Sequence, residues 1–177
     1  MHRDFTVKFL VKRHKNNELP IFIHLLLTTG LMAYTCRETP TPREDLMPQN
    51  ITKSAKSIVQ EAMASVPAIS VEEAMALSGS DAHVFVDLRD GTEQAKTGRI
   101  PGAVASSRGM MEFHLDPESP IHNPAFNQDK TYVFYCASGG RSAMAAKVAL
   151  EMGLHPVLNM SGGFGAWSKA GGAVEPA

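Results

Sequence analysis

The stretch Cys136-Ala137-Ser138-Gly139-Gly140-Arg141-Ser142 concentrates more chemistry than any other part of the 177-residue chain. A cysteine ends the apolar run Tyr132 to Tyr135, two glycines follow, and a cation opens a helical pattern. Gly139 and Gly140 permit a tight turn whose successive N–H groups point inward. A helix starting near Arg141 or Ser142 adds the positive end of its dipole. A sulfur inside such a ring is favoured as thiolate, which lowers its pKa from the ordinary ~8.5 toward neutrality. The same donors, the backbone from Ala137 through Ser142, suit an anionic substrate or an anionic persulfide. Cys136 is therefore the candidate nucleophile. Arg141, whose planar guanidinium pairs with oxyanions through two donors, is the candidate for the substrate's anionic end.

Such a loop needs a strand before it and a helix behind it. "TYVFYCA" supplies the strand, and Ser142 to Met152 the helix, with Met144, Ala145, Val148, Ala149 and Met152 on one face and Gly153 as its left-handed stop. "HVFVDLRD" reads as a second buried strand, Val84 to Leu88. Ahead of it stand two helices. One runs from Thr52 to Val66 with Ile58, Val59, Ala62, Met63 and Val66 at helical spacing, and the next is capped by Ser70 and Glu73. "GTEQAKTG" is a short helix ended by Gly98, "RIPGAVASS" a turn into a short strand, and "GMMEFHLDPESP" a helical turn stopped by prolines. "PVLNMSGG" and "FGAWSKAG" give a last strand and a last helix. Strands alternating with helices imply a mostly parallel sheet covered on both faces. Ligands then bind beyond the carboxyl ends of the strands, so Asp87-Leu88-Arg89 and Cys136 to Arg141 should meet.

Composition narrows the function classes. A chain with 44% hydrophobic and 20% charged residues has material for one ordinary core. Its net charge of -1, with no basic stripe beyond residue 46, argues against nucleic acid as partner. Cys36 and Cys136 form no disulfide framework, and no His/Cys spacing offers a metal site. Residues 1–46 read as an N-terminal extension: a basic start, the apolar run "IFIHLLLTTGLMAY", then a proline-broken stretch. The run is short for a membrane span and suits the apolar part of a signal segment. The alternatives are a disordered extension, or a native start at Met47 rather than Met1. A cytoplasmic location is expected, with export or membrane attachment the alternative if residues 1–36 act as a signal. Residues 47–66 are read as a leading helix and 67–177 as the main domain.

"CASGGRS", together with "VDLRD", the "GRIPGA" turn and the closing "GGFGAW", resembles the rhodanese family of sulfurtransferases over residues 67 to 173. The resemblance implies an α/β fold with about five mostly parallel strands and helices on both faces. It implies a thiosulfate sulfurtransferase-like enzyme in which Cys136 takes a sulfane sulfur from thiosulfate or a similar donor, holds it as a persulfide, and passes it to cyanide or a thiol. No cofactor or metal is called for. A persulfide carrier or regulatory module acting with a partner protein is the alternative. By the same resemblance, Asp87 and Arg89 tie their loop to the active loop. Arg99 stands where the family often has histidine. The related cell-cycle phosphatases share the fold but use Cys-x5-Arg. Here Cys136 to Arg141 is Cys-x4-Arg, a ring better sized for one sulfur than for a phosphoryl group.

Overall fold

The computed structural model describes residues 49–177, so the extension read over residues 1–46, with its apolar run and Cys36, lies outside the described residues. Helix α1 (Ala55–Ser65) begins at Ser54, whose Oγ accepts from the Ser57 N–H. Strand β1 (Ala68–Ile69) leads to α2 (Val71–Leu77), opened by the reciprocal Ser70–Glu73 capping box. Then come β2 (His83–Asp87), α3 (Gly91–Thr97), β3 (Val104–Ala105) and α4 (Met111–Leu115). A 3-10 turn at Pro124–Phe126 precedes β4 (Thr131–Tyr135), α5 (Gly140–Glu151), β5 (Val157–Met160) and α6 (Gly163–Lys169).

The five strands form one parallel sheet in the order β1-β5-β4-β2-β3. The expected count and direction hold. The two-residue β1 is too short to leave a periodic signal in the sequence, and its place is fixed by pairing Ala68 and Ile69 with Asn159 and Met160.

Alternation along the strands sends side chains into two cores. Val84, Val86, Tyr132, Phe134, Cys136 and Val157 pack with α1, α4 and α5. Phe85, Val133, Tyr135 and Met160 pack on the other side with Val71 and Ala74 of α2 and Phe164 and Trp167 of α6. Trp167 meets Phe85 edge-on at 6.0 Å and donates its indole N–H to the Ala173 carbonyl.

Two helix faces differ from their expected composition. In α5 the buried residues are Ser142, Ala143, Ala145, Ala146 and Ala149, while Met144 and Val148 are half-buried and Met152 is exposed. This helix lies between the sheet and α1, so close approach on two sides selects alanine over larger apolar residues. In α1, Ala62 is buried, as is Val66 just past its end, but Ile58 and Met63 face outward. Gly153, in the left-handed region at φ 97°, does end α5 as expected.

Candidate active site

β2 and β4 are adjacent in full register, Asp87 opposite Tyr135, and the Leu88 N–H donates to the Tyr135 carbonyl at 2.9 Å. The loops leaving them therefore do lie side by side. They sit where the strand order reverses: β2 connects outward to β3 and β4 outward to β5 on the opposite side. That crevice is the usual ligand position in a parallel sheet.

Cys136 is the next residue after β4 and is 1% exposed, with its side chain on the α5 side. The chain then turns through exposed Ala137 and Ser138 to Gly139, at φ 92°, and enters α5 at Gly140. The Gly139 N–H donates to Sγ at 3.2 Å. The Ser142 hydroxyl stands 3.6 Å from Sγ and 3.1 Å from the Gly139 carbonyl oxygen, so its single proton can turn to either. Burial pushes the thiol pKa up. The Ser142 hydroxyl and the N–H groups of Ser142, Ser138 and Gly139 more than offset this, and the net shift is downward. Of the donors expected from Ala137 through Ser142, the Gly139 N–H and the Ser142 hydroxyl are the ones in direct contact with the sulfur.

The start of α6 holds the loop from behind. The Phe164 N–H donates to the Cys136 carbonyl at 2.8 Å and the Gly165 N–H to that of Ala137 at 2.9 Å. Gly163, at φ 58°, is so close that a Cβ there would lie 2.4 Å from the Cys136 oxygen and 2.8 Å from the Ser138 and Gly139 nitrogens. On the other side, a Cβ on Gly140 would sit 3.4 Å from Val59 of α1.

Asp87 and Arg89 form a buried two-pronged ion pair, Nε to Oδ1 at 2.9 Å and Nη2 to Oδ2 at 2.6 Å. Arg89 also donates to Thr97 Oγ1 and the Gly98 carbonyl, and its guanidinium lies 3.9 Å over the Phe164 ring. The resemblance implies hydrogen bonds from these two residues to the active loop. Instead they lock the end of α3 to the end of β2, and the link to the loop runs through stacking on Phe164. Arg99 ties down the C-terminal stretch through Glu175, at 2.9 Å from Nε.

Arg141 has a partner that sequence reasoning missed. Its Nη1 and Nη2 each donate to one carboxylate oxygen of Glu93, both at 2.7 Å. The guanidinium holds Glu93 down to about 2. Glu93 belongs to a second capping box with Asp90, legible as Asp-x-x-Glu, but nothing local to either residue signals a contact across 48 positions.

Residues 70–170 match the rhodanese-like domain family. A sulfurtransferase of Allochromatium vinosum is 34% identical over 95 residues, covering 54% of this chain and 80% of that protein. The human thiosulfate:glutathione sulfurtransferase is 28% identical over 111 residues, covering 59% and 96%. A solved structure from Rhodopseudomonas palustris, described as a protein of unknown function and possible tyrosine phosphatase, is similar with a TM-score of 0.70 and 50% identity over 73% of this chain and 99% of that one. With a cysteine cradled at the switch point of a five-stranded parallel sheet, and the family pattern running from Ser70 to Ala170, the chain belongs to the rhodanese family of sulfurtransferases.

Proposed function

We propose that this protein moves a sulfane sulfur from thiosulfate or a similar donor to a thiol or cyanide through a persulfide on Cys136. The observation that carries this reading is the setting of Cys136, a buried sulfur at the switch point of the sheet with the Gly139 N–H at 3.2 Å and the Ser142 hydroxyl at 3.6 Å, donors that favour the thiolate against desolvation. The thiolate attacks the outer sulfur of thiosulfate. The new S–S bond forms as the old one breaks, and its electron pair leaves on sulfite. In the second half-reaction the acceptor attacks the outer persulfide sulfur and the Cys136 thiolate departs. The sulfurtransferase names of the two curated relatives support the same chemistry. Among the described residues no helix is long and apolar enough to cross a membrane.

The description of the Rhodopseudomonas palustris protein favours a second reading, phosphate-ester hydrolysis by the same loop. The Cys136 to Arg141 loop is one residue shorter than a Cys-x5-Arg loop, the Gly139 N–H and the Ser142 hydroxyl contact the sulfur, and both Nη atoms of Arg141 donate to Glu93, so the guanidinium does not present its two-Nη edge to a phosphoryl group. One experiment separates the readings: steady-state turnover with thiosulfate and cyanide, and with an aryl phosphate, for the wild type and Cys136→Ser. Sulfur transfer well above aryl phosphate hydrolysis, abolished by Cys136→Ser with the melting temperature preserved, is expected, because a serine hydroxyl is not ionised near neutral pH. Equal or faster aryl phosphate hydrolysis would sink the sulfur-transfer reading.

A further inference from the structure

Glu93 and Arg141 face each other between the first turns of α3 and α5. Their side chains are 32% and 38% exposed, so the pair sits at the rim of the site rather than inside the core. Glu93 is held at both its backbone and its side chain: its N–H donates to Asp90 Oδ1 at 2.8 Å, and the Asp90 N–H donates to its Oε2 at 3.3 Å. The Glu93 carboxylate raises the Arg141 pKa above its ordinary value, with the charge on Cys136 a smaller influence in the same direction, and Arg141 itself belongs to the loop that carries the nucleophile. An anion approaching Cys136 therefore meets an arginine whose two-Nη edge is taken, beside a fixed negative charge. Next to the loop lies a hollow of about 290 Å³ bordered by Glu93, Phe164, Ala137 and Gly165, with Lys96 among its walls. Its exposed lining is mostly apolar, which suits an organic group better than a bare oxyanion.

We infer that Glu93 is a specificity-determining residue that disfavours small dianionic sulfur donors and favours organic sulfane donors of one negative charge, whose organic group occupies the hollow beside Ala137 and Phe164. This rests on the sulfur-transfer reading above. Both donor classes react alike. The Cys136 thiolate attacks the terminal sulfur, one S–S bond forms and one breaks, and the electron pair leaves on sulfite from thiosulfate or on a sulfinate from an organic thiosulfonate. No oxidant or reductant is consumed.

The test compares kcat/KM for persulfide formation on Cys136 from thiosulfate, a dianion, and benzenethiosulfonate, a monoanion, in the wild type, Glu93→Gln and Glu93→Gln/Arg141→Ala. The glutamine keeps the side-chain length and an acceptor for the Asp90 N–H. The ratio of thiosulfate to benzenethiosulfonate should rise at least about fivefold in Glu93→Gln, since one short-range repulsion is removed and a guanidinium edge is freed. Added salt should shrink that rise. The double variant should lose most of it, because the freed Arg141 is what takes the dianion. An unchanged ratio, or an equal fall for both donors, would show that Glu93 merely joins α3 to α5. The wild type offers an arm that needs no variant: thiosulfate used with higher kcat/KM than benzenethiosulfonate overturns the inference. If neither donor loads Cys136 in the wild type, the sulfur-transfer reading itself falls and the donor assignment with it. Loading by both with an unmoved ratio removes only the role of Glu93.

Discussion

At the scale of single residues, the site turns on how a thiol with almost no exposed surface can carry a lowered pKa. Burial works against the thiolate, and the Ser142 hydroxyl is the largest of the contributions that reverse it. Removing that hydroxyl leaves burial in place and subtracts a stabiliser of the anion, so the thiol pKa must rise. Ser142→Ala is predicted to shift the midpoint of the pH profile for iodoacetamide alkylation of Cys136 upward, with the wild-type midpoint below the ~8.5 of an ordinary cysteine. Rates per thiolate should change little. A midpoint that stays put, or moves down, would mean that the N–H groups of Ser138, Gly139 and Ser142 suffice without the side chain. Cys136, the glycine pair and the cation were readable from the sequence because loop chemistry is local. The Glu93 contact was not, because it depends on how far α3 leans toward α5.

At the scale of elements, the loop is shaped by neighbours as much as by its own glycines. Gly163 opens α6 against the Cys136 carbonyl with no room for a Cβ, whereas Gly79, also left-handed at φ 79°, has nothing within 4 Å. Gly79→Ala should cost about 1–2 kcal/mol, the left-handed strain alone. Gly163→Ala adds a backbone collision to the same strain. It should cost more than that and also displace the loop, lowering sulfur transfer by at least about tenfold even where the protein remains folded. Thermal melting together with turnover checks both. Matching losses for the two variants would show that α6 does not shape the loop. The closing Gly-Gly signature announced close approach, and the structure shows what is approached. Element types were legible throughout, because the capping boxes, the glycine stops and the β-branched runs are short-range signals. The packed faces of α1 and α5 were less so: with the sheet on one side of α5 and α1 on the other, burial follows the small residues, and the larger Met152 and Ile58 are left outside.

At the scale of the whole molecule, the strand order accounts for why chemistry gathers at one place. β2 and β4 lie side by side while their onward connections diverge, opening a crevice at their carboxyl ends into which both Arg89 and the Cys136 loop project. The buried Asp87–Arg89 pair, both side chains nearly inaccessible, braces one wall of that crevice by fixing the end of α3 against β2. α3 in turn carries Glu93 to Arg141, so the brace and the rim charge belong to one helix. The α/β pattern was plain in the sequence, but the order of the strands was not, since adjacency is set by crossover handedness and pairing rather than by any residue. The central claim is that this crevice exists to load sulfur onto Cys136, and peptide mass spectrometry of the intact wild-type protein tests it most directly. Incubation with thiosulfate or benzenethiosulfonate should add the mass of one sulfur atom to the peptide containing Cys136, and cyanide should remove it. No added sulfur on that peptide with either donor, or sulfur added elsewhere while Cys136 stays unmodified, would contradict the account.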